Sequence, residues 1–345
     1  SGAITVTLPA SPDAGAVIAI SDYANTADTN NITLARNGSN IEGNASDFVI
    51  NQAGVAITFV YVDATKGWIT TDTGQSKNAS VSEFIIATGG TITTCGDCKI
   101  HTFTGPGTFT VSDVADTCGP TRNQVSYMVV AGGGAGGVGC AGAGGGAGGF
   151  REDKNPLTPY TASPLEGAGT ITVTSTSFPI TVGGGGTGQA PFIGLPSFPS
   201  PTKGGSGSNS IFSTITSAGG GGGGGNNEQP GINGGSGGGG AHAGGTGGTG
   251  NSPGVSPPQG NNGGNPAPST GPAPGDAGGG GGGAGANGSA TPQSGGNGVS
   301  TSISASSTTY AGGGGGTNRC GGAPTCTAGG SGGGGAGGYG SRPTP

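Results

Sequence analysis

Charge is nearly absent from this chain. Lys, Arg, Asp and Glu together make up 8% of its 345 residues, and 16 acids against 10 bases leave a formal net charge of −6. Nucleic acid and anionic membrane surfaces both select a basic face, so this balance counts against either as a partner. Histidine is as scarce, with His101 and His242 the only two. No Ser-His-Asp order and no metal-ligand cluster can be read from so little material. No run of about 20 apolar residues occurs, so no membrane-spanning helix is expected. Aromatics are 5%, Trp68 is the single tryptophan, and Met128 is the single methionine. With no initiator methionine, the chain reads as a piece of something longer or as a processed form.

What is abundant is glycine, 88 residues of it, and all but 13 lie after residue 130. They come in blocks such as 131–149 (AGGGAGGVGCAGAGGGAGG), 218–225 (AGGGGGGG) and 277–288 (AGGGGGGAGANG). Without a strict period this composition usually means a flexible or disordered segment. An ordered alternative has to work without side chains. An α-helix is disfavoured by about 1 kcal/mol per glycine relative to alanine. Collagen needs glycine at every third position, whereas 219–225 is glycine throughout. The remaining choice is the left-handed three-fold helix of polyproline II geometry, which has no internal hydrogen bonds. Its peptide groups point sideways and must find partners when buried. With no Cβ on any face, such helices can pack side by side and bond laterally. A net value of about 0.5–1.5 kcal/mol per bond roughly offsets an ordering cost of about 1–2 kcal/mol per residue. The expectation is therefore a cooperative bundle of polyglycine II helices.

Three regions follow from the pattern. Residues 1–88 form an all-β module, a sandwich or barrel-like unit. Its short β-branched or alternating runs are 4–8, 16–20, 32–34, 48–50, 56–61, 68–70 and 83–86, separated by turn residues. Residues 89–130 form a connecting β element, with 99–104 and 107–111 predicted as a hairpin about Gly105-Pro106. Within it, 124–130 (QVSYMVV) is a continuous strand running into the first glycine block. Residues 131–345 form the glycine-rich polyglycine II domain, with glycine-dominated runs at 131–149, 183–188, 218–225, 234–250, 277–288, 311–316 and 327–340. Short strands are expected at 170–174, 179–182 and 210–216. No helical period of useful length appears, so essentially no α-helix is expected. If successive runs are antiparallel, alternate connectors leave at the same end, and loops gathered on a rigid scaffold are where binding residues usually sit.

Six cysteines allow fifteen pairings. Cys95 with Cys98 (CGDC) and Cys320 with Cys326 (CGGAPTC) are plausible local bridges, which leaves Cys118 with Cys140. Free thiols or a metal site are the alternatives, but only one CxxC spacing exists. Structural disulfides would place the protein in an oxidising setting.

Catalysis has little to build on. The glycine domain holds only Glu152, Asp153, Glu166, Glu228 and Asp276 as acids, and nothing marks a pair placed across a sugar. No phosphate-binding GxxxxGK[ST] loop occurs, and GxGxxG matches arise here by chance. The runs lack the Asp of calcium-binding nonapeptide repeats. No enzyme, cofactor or metal is expected. Binding candidates are connector aromatics and amides: Tyr160, Phe192, Phe198 and Tyr310, with Asn226, Asn227, Asn261 and Asn262. Their structural alternatives are capping the array or packing on an edge helix. His101 and Trp68 are expected to be structural, Trp68 in a core or between subunits.

One family matches the succession of motifs. HTFTGPGTFTV (101–111), SYMVVAGGGAGG (126–137), GGFRE (148–152), FPITVGGGGTG (178–188), SIFSTITSAGGGGGGG (210–225) and STSISASSTTYAGGGGG (300–315) resemble, in this order, the glycine-rich domain of tailed-bacteriophage tail fibres. Residues 1–70, with LPASPDAGAVIAISDYA, NNITLARNGSNIEG and YVDATKGW, are similar to a β module of fibres from marine phages. The resemblance implies a virion protein that attaches to the host through a surface glycan or outer-membrane protein. It also implies other fibre subunits as partners, commonly in a homotrimer. A purely structural filament or surface-layer protein is the rival reading.

Overall fold

A computed structural model describes residues 2–73, 84–115, 120–139, 141–189, 202–225, 229–242, 244–267, 277–317 and 327–338. The chain divides into two compact units: Ser1–Ile85 with Ala115–Thr117, and Ile86–Val114 with Cys118–Pro345.

Among its described residues the first unit has six strands, β1 (Ile4–Thr7), β2 (Val17–Ser21), β3 (Ile32–Ala35), β4 (Phe48–Ile50), β5 (Ala56–Asp63) and β6 (Gly67–Thr73). They form two three-stranded sheets, β1-β3-β4 and β2-β5-β6, and no barrel closes among the described residues. β1 runs parallel to β3, with Ile4 opposite Ile32; the other pairings are antiparallel. Inward residues of both sheets meet in one core of Leu8, Ile32, Leu34, Ile50, Val55, Ile57, Phe59 and Trp68. Trp68 is fully buried and meets Tyr61 edge-on at 5.6 Å, so its expected core role holds. Each such side chain contributes roughly 1.5–3 kcal/mol by leaving water. Gly67 enters β6 with φ +71, and a Cβ there would overlap the Asn40 carbonyl, so the bulge admits only glycine. Asp22 Oδ2 accepts the Ala27 and Gly54 amides, both at 3.0 Å; those bonds, Ala27's first, hold its carboxyl below its ordinary value.

In the second unit the strands are β7 (Ile86–Thr88), β8 (Thr91–Cys95), β9 (Cys98–Thr102), β10 (Gly107–Asp113), β11 (Gln124–Val125), β12 (Tyr127–Val130) and β13 (Phe150–Asp153). Further along come β14 (Ile171–Thr172), β15 (Ser177–Thr181), β16 (Ser210–Phe212), β17 (Ile215–Ser217), β18 (Val299–Thr301) and β19 (Thr308–Tyr310). Among the described residues the only helical element is one 3-10 turn, Pro120–Asn123. A five-stranded sheet has the order β17-β16-β15-β10-β7. Phe109, Phe178, Phe212 and Tyr127 cluster on it, with Phe109 meeting Phe212 at 6.1 Å.

The expected hairpin of 99–104 with 107–111 does not form. β9 pairs instead with β8, while β10 pairs with β7 and β15. Gly89 and Gly90, both at positive φ, turn the chain between β7 and β8, and His101 Nδ1–H donates to the Gly89 carbonyl at 2.9 Å. The run 124–130 is broken at Ser126 into β11 and β12, because the Ser126 hydroxyl accepts the Asn155 amide.

Beyond β12 the chain enters a bundle of extended glycine helices bonded only sideways. Run 141–149 displays the period. Ala143, Gly146 and Gly149 donate to the carbonyls of Gly224, Gly221 and Ala218, at 2.8–3.0 Å. Gly144 and Ala147 donate to Gly279 and Gly282. Carbonyls of 143 and 146 accept from Gly137 and Gly134; those of 144 and 147 accept from Gly239 and Ser236; those of 142 and 145 accept from Thr317 and Gly314. Every third residue thus faces the same neighbour, as a three-fold helix requires. Each bond lies between runs, so the order of one run depends on all its neighbours.

The absence of side chains is what permits this spacing. A Cβ on Gly137, Gly145, Gly148 or Gly222 would overlap a neighbouring backbone carbonyl. The runs extend further than the pure glycine blocks. Block 131–149 reverses at Gly139, and 202–208, 261–264 and 294–298 join the lattice despite their Ser, Asn and Lys. Asparagine makes this possible at the edges, where its side-chain oxygen stands in for a missing helix. Asn209 accepts from Gly219, Asn233 from Thr249, Asn262 from Gly250 and Asn265 from Gly247, at 2.8–2.9 Å.

Candidate functional site

The bond register fixes the direction of each run. Run 131–139 pairs antiparallel with 141–149, 202–208 antiparallel with 132–138, and 204–207 antiparallel with 220–223. Further on, 261–264 runs antiparallel to 280–283, and 293–296 antiparallel to 313–316. Successive runs alternate, although non-consecutive neighbours such as 144–147 and 279–282 are parallel. The connectors therefore divide between two ends.

At the entry end, where β12 leads in, lie the hairpins β16–β17 and β18–β19 and the connectors 149–183 and 250–259. A charged sequence, FREDK, sits here with three of its charges out of water: Arg151, Glu152 and Asp153 are buried, as is the neighbouring Asn155, while Lys154 is half-buried. Glu152 is the fastener. Its carboxylate accepts the Ser163 amide at 2.9 Å and the Thr301 hydroxyl at 2.6 Å, tying β13 to the 160s loop and to β18. Asn155 Nδ2 donates to the carbonyls of Thr121 and Gln124. Gln259, fully buried, accepts the Ala218 amide and donates to Pro253, both at 2.8 Å. Beneath them Phe150, Ala147, Ala284, Val299 and Ala311 form a small apolar cluster with Met128 and Leu165 against it. Tyr127 donates to the Gly169 carbonyl at 2.5 Å, and burial first, then the Asp153 charge, raise its phenol well above the ordinary value.

At the far end the described parts of the runs stop at 189, 225, 242, 267 and 317 and resume at 202, 229, 244, 277 and 327. The described edge of that face includes Val138, Thr187, Thr202, Lys203, Pro230, His242, Asn265 and Thr317. Val138 donates to Thr202, Ala241 to Gln229 and Thr317 to Gly142, which close the lattice there. His242 takes φ 56, and its carbonyl accepts the Gly245 amide, so it heads a tight reversal.

The sequence-predicted candidates separate accordingly. Phe192, Phe198, Asn226 and Asn227 lie outside the described residues. Tyr160 and Tyr310 belong to the entry end. Lys154 Nζ sits 5.5 Å from the Tyr160 ring, and burial first, then Glu152, raise the Tyr160 phenol. The Tyr310 hydroxyl donates to Ser304 at 3.0 Å. Asn261 Nδ2 donates to the Gly283 and Ala284 carbonyls, and Asn262 Oδ1 accepts the Gly250 amide, so both side-chain amides are engaged in the scaffold. The expected Cys95–Cys98 bridge is corrected: both are free thiols. They face each other across the Gly96-Asp97 turn. Directly opposed residues hold their Cβ atoms about 4.5–5.5 Å apart, whereas a disulfide wants about 3.5–4.5 Å. Cys118, Cys140, Cys320 and Cys326 lie outside the described residues. Among the described residues no cluster of His, Cys, Asp or Glu could hold a metal, and no helix is long and apolar enough to cross a membrane.

The buried polar knot about Arg151 and Glu152 was not singled out by sequence reasoning. Its signal was present: FREDK is a charged run placed directly after a glycine block in a chain almost free of charge.

This architecture defines a class, a β-rich protein whose larger part is a lattice of glycine helices. The chain belongs to the glycine-rich domain family, whose profile matches residues 102–345. A search of curated proteins finds no match.

Proposed function

We propose that this chain is a non-enzymatic segment of a bacteriophage tail fibre, an adhesin that binds a host surface glycan or outer-membrane protein. The virion is its location, and other fibre subunits, in a homotrimer, are its partners. The observation that carries the reading is the alternation of runs, which brings the described ends of several runs to one face of a rigid bundle. A scaffold of this kind holds recognition loops in place without contributing chemistry of its own. The order of the six motifs, which resembles that of tail fibres, points the same way. Affinity per copy is modest on this reading, and several fibres per particle supply avidity.

The test is a pull-down of the chain on whole host cells, competed with their extracted surface glycans or outer-membrane proteins. Replacing Phe192 and Phe198 together by alanine is expected to abolish cell binding with no change in melting. Cell binding unaltered by that pair would move the contact off the 188–202 connector, and no binding to any susceptible host would overturn the adhesin reading. The filament reading draws on a different observation: Gly184, Gly188, Gly335 and Gly338 have open space where a Cβ would stand. These bare edges could each accept another glycine helix, so concentration-dependent fibres without cell binding would favour it.

A further inference from the structure

Arg151 is a cation whose surroundings are incomplete. It is 6% exposed, and its two terminal nitrogens donate to carbonyls, Ala168 at 2.9 Å and Pro257 at 3.2 Å. Neither bond brings a counter-charge, and Nε is buried with no partner. The acids beside it in sequence are occupied. Asp153, two residues along β13, accepts the Gly169 amide, and Glu152 holds Ser163 and Thr301. A buried guanidinium left in this state is costly unless an anion completes it.

Arg151 lines a cleft of about 210 Å³ at the entry end. Asn209, Thr214 and Thr216 line it as well, and no acid among the described residues does. Asn209 Oδ1 is used by Gly219, which leaves its Nδ2 hydrogens to donate. Thr214 and Thr216 are exposed. The other wall is apolar, with Ile215, Pro253 and Val255. Donors on one side, hydrocarbon on the other and one unpaired cation form the recognition pattern for a small anionic, hydroxylated ring.

We propose that this cleft binds the carboxylate of a single acidic sugar residue. The carboxylate would complete Arg151, the ring hydroxyls would meet Asn209, Thr214 and Thr216, and the C–H face would lie on Pro253 and Val255. Inorganic phosphate shares the charge but not the ring, so it separates anion binding from sugar binding. The site lies at the opposite end from the run ends invoked above, and it does not depend on the adhesin reading.

The experiment is saturation-transfer NMR on the whole chain with glucuronate, glucose and inorganic phosphate as separate probes. Glucuronate is expected to bind saturably in roughly the millimolar range, and glucose about tenfold or more weaker, because a charge-assisted bond is lost. Arg151→Gln should weaken glucuronate by at least about tenfold. That variant also removes two backbone clamps, so Val255→Trp serves as the second. It fills the cleft while leaving both Arg151 bonds, and it should abolish the signal with amide exchange of the bundle unchanged. Glucuronate binding retained in Val255→Trp, glucose binding as well as glucuronate, or phosphate displacing it as an equal would each overturn the proposal. So would the absence of saturable glucuronate binding to the wild-type chain.

Discussion

Side chains hold the first unit together, whereas peptide groups hold the glycine bundle. In the first unit Trp68, Phe59, Leu34 and Ile50 are fully buried between two sheets, and stability scales with apolar area removed from water. In the bundle there is almost no such area, and amides and carbonyls bond between runs at 2.7–3.2 Å. The two solutions fail differently. A hydrophobic core loses energy when an atom is taken away; a glycine lattice loses it when an atom is added. Tolerance is therefore inverted between the two units of one chain.

The largest effect expected is in the first unit. Trp68→Ala should cost about 3–5 kcal/mol, as large-to-small changes at aromatic core sites do. It empties a site with no exposed surface, and its aromatic partner Tyr61 loses the edge-on contact. The first unit's backbone amides should lose exchange protection while those of the 141–149 run keep theirs. Loss of protection in both units together would break the comparison, since it would make the bundle depend on the hydrophobic core.

Next comes the smallest possible addition to the lattice. Gly146→Ala places a Cβ against the carbonyls of Ser236 and Gly237, which are backbone atoms with no rotamer to change. Gly146 also donates to Gly221 and accepts from Gly134, so pushing one helix aside strains several bonds at once. A cost of about 1–3 kcal/mol is expected, the range for overpacking. Melting followed through Trp68 fluorescence should stay at the wild-type value, and bundle amide exchange should accelerate. A Gly146→Ala bundle with wild-type protection would mean that the helices can spread without loss, and the lattice account would fail.

Much of this contrast was legible in the sequence. Six of the first unit's strands fall on β-branched or alternating runs, because a half-buried strand imposes a period of two on its side chains. The glycine bundle was legible by exclusion, since no other ordered form suits an uninterrupted glycine run. What could not be read was pairing. β10 and β9 are separated by Gly105-Pro106, yet they belong to different sheets, because long-range partners such as β15 outcompete the nearest neighbour. The extent of the lattice was also hidden. Asn262 and Asn265 look like loop residues by composition, but their side-chain oxygens complete the bonding of runs that lack a neighbour. The buried Arg151 and Glu152 were visible as letters, but their burial depends on connectors far along the chain, Pro257 and Thr301 among them.

The smallest effect expected is also the sharpest control. Gly184 belongs to the same kind of run as Gly146, and its carbonyl accepts the Ser208 amide at 2.9 Å, but nothing lies where its Cβ would stand. Its φ is not in the left-handed region, so alanine fits the backbone as it is. Gly184→Ala should leave the bundle unharmed or stabilise it by about 0.4–1 kcal/mol, by restricting the unfolded chain. The measurement is amide exchange across 183–188 and 202–208, set beside Gly146→Ala. If both alanines were equally damaging, glycine would be needed for its backbone freedom. The expected split, with harm only at the enclosed position, ties the need for glycine to the closeness of the neighbouring helix.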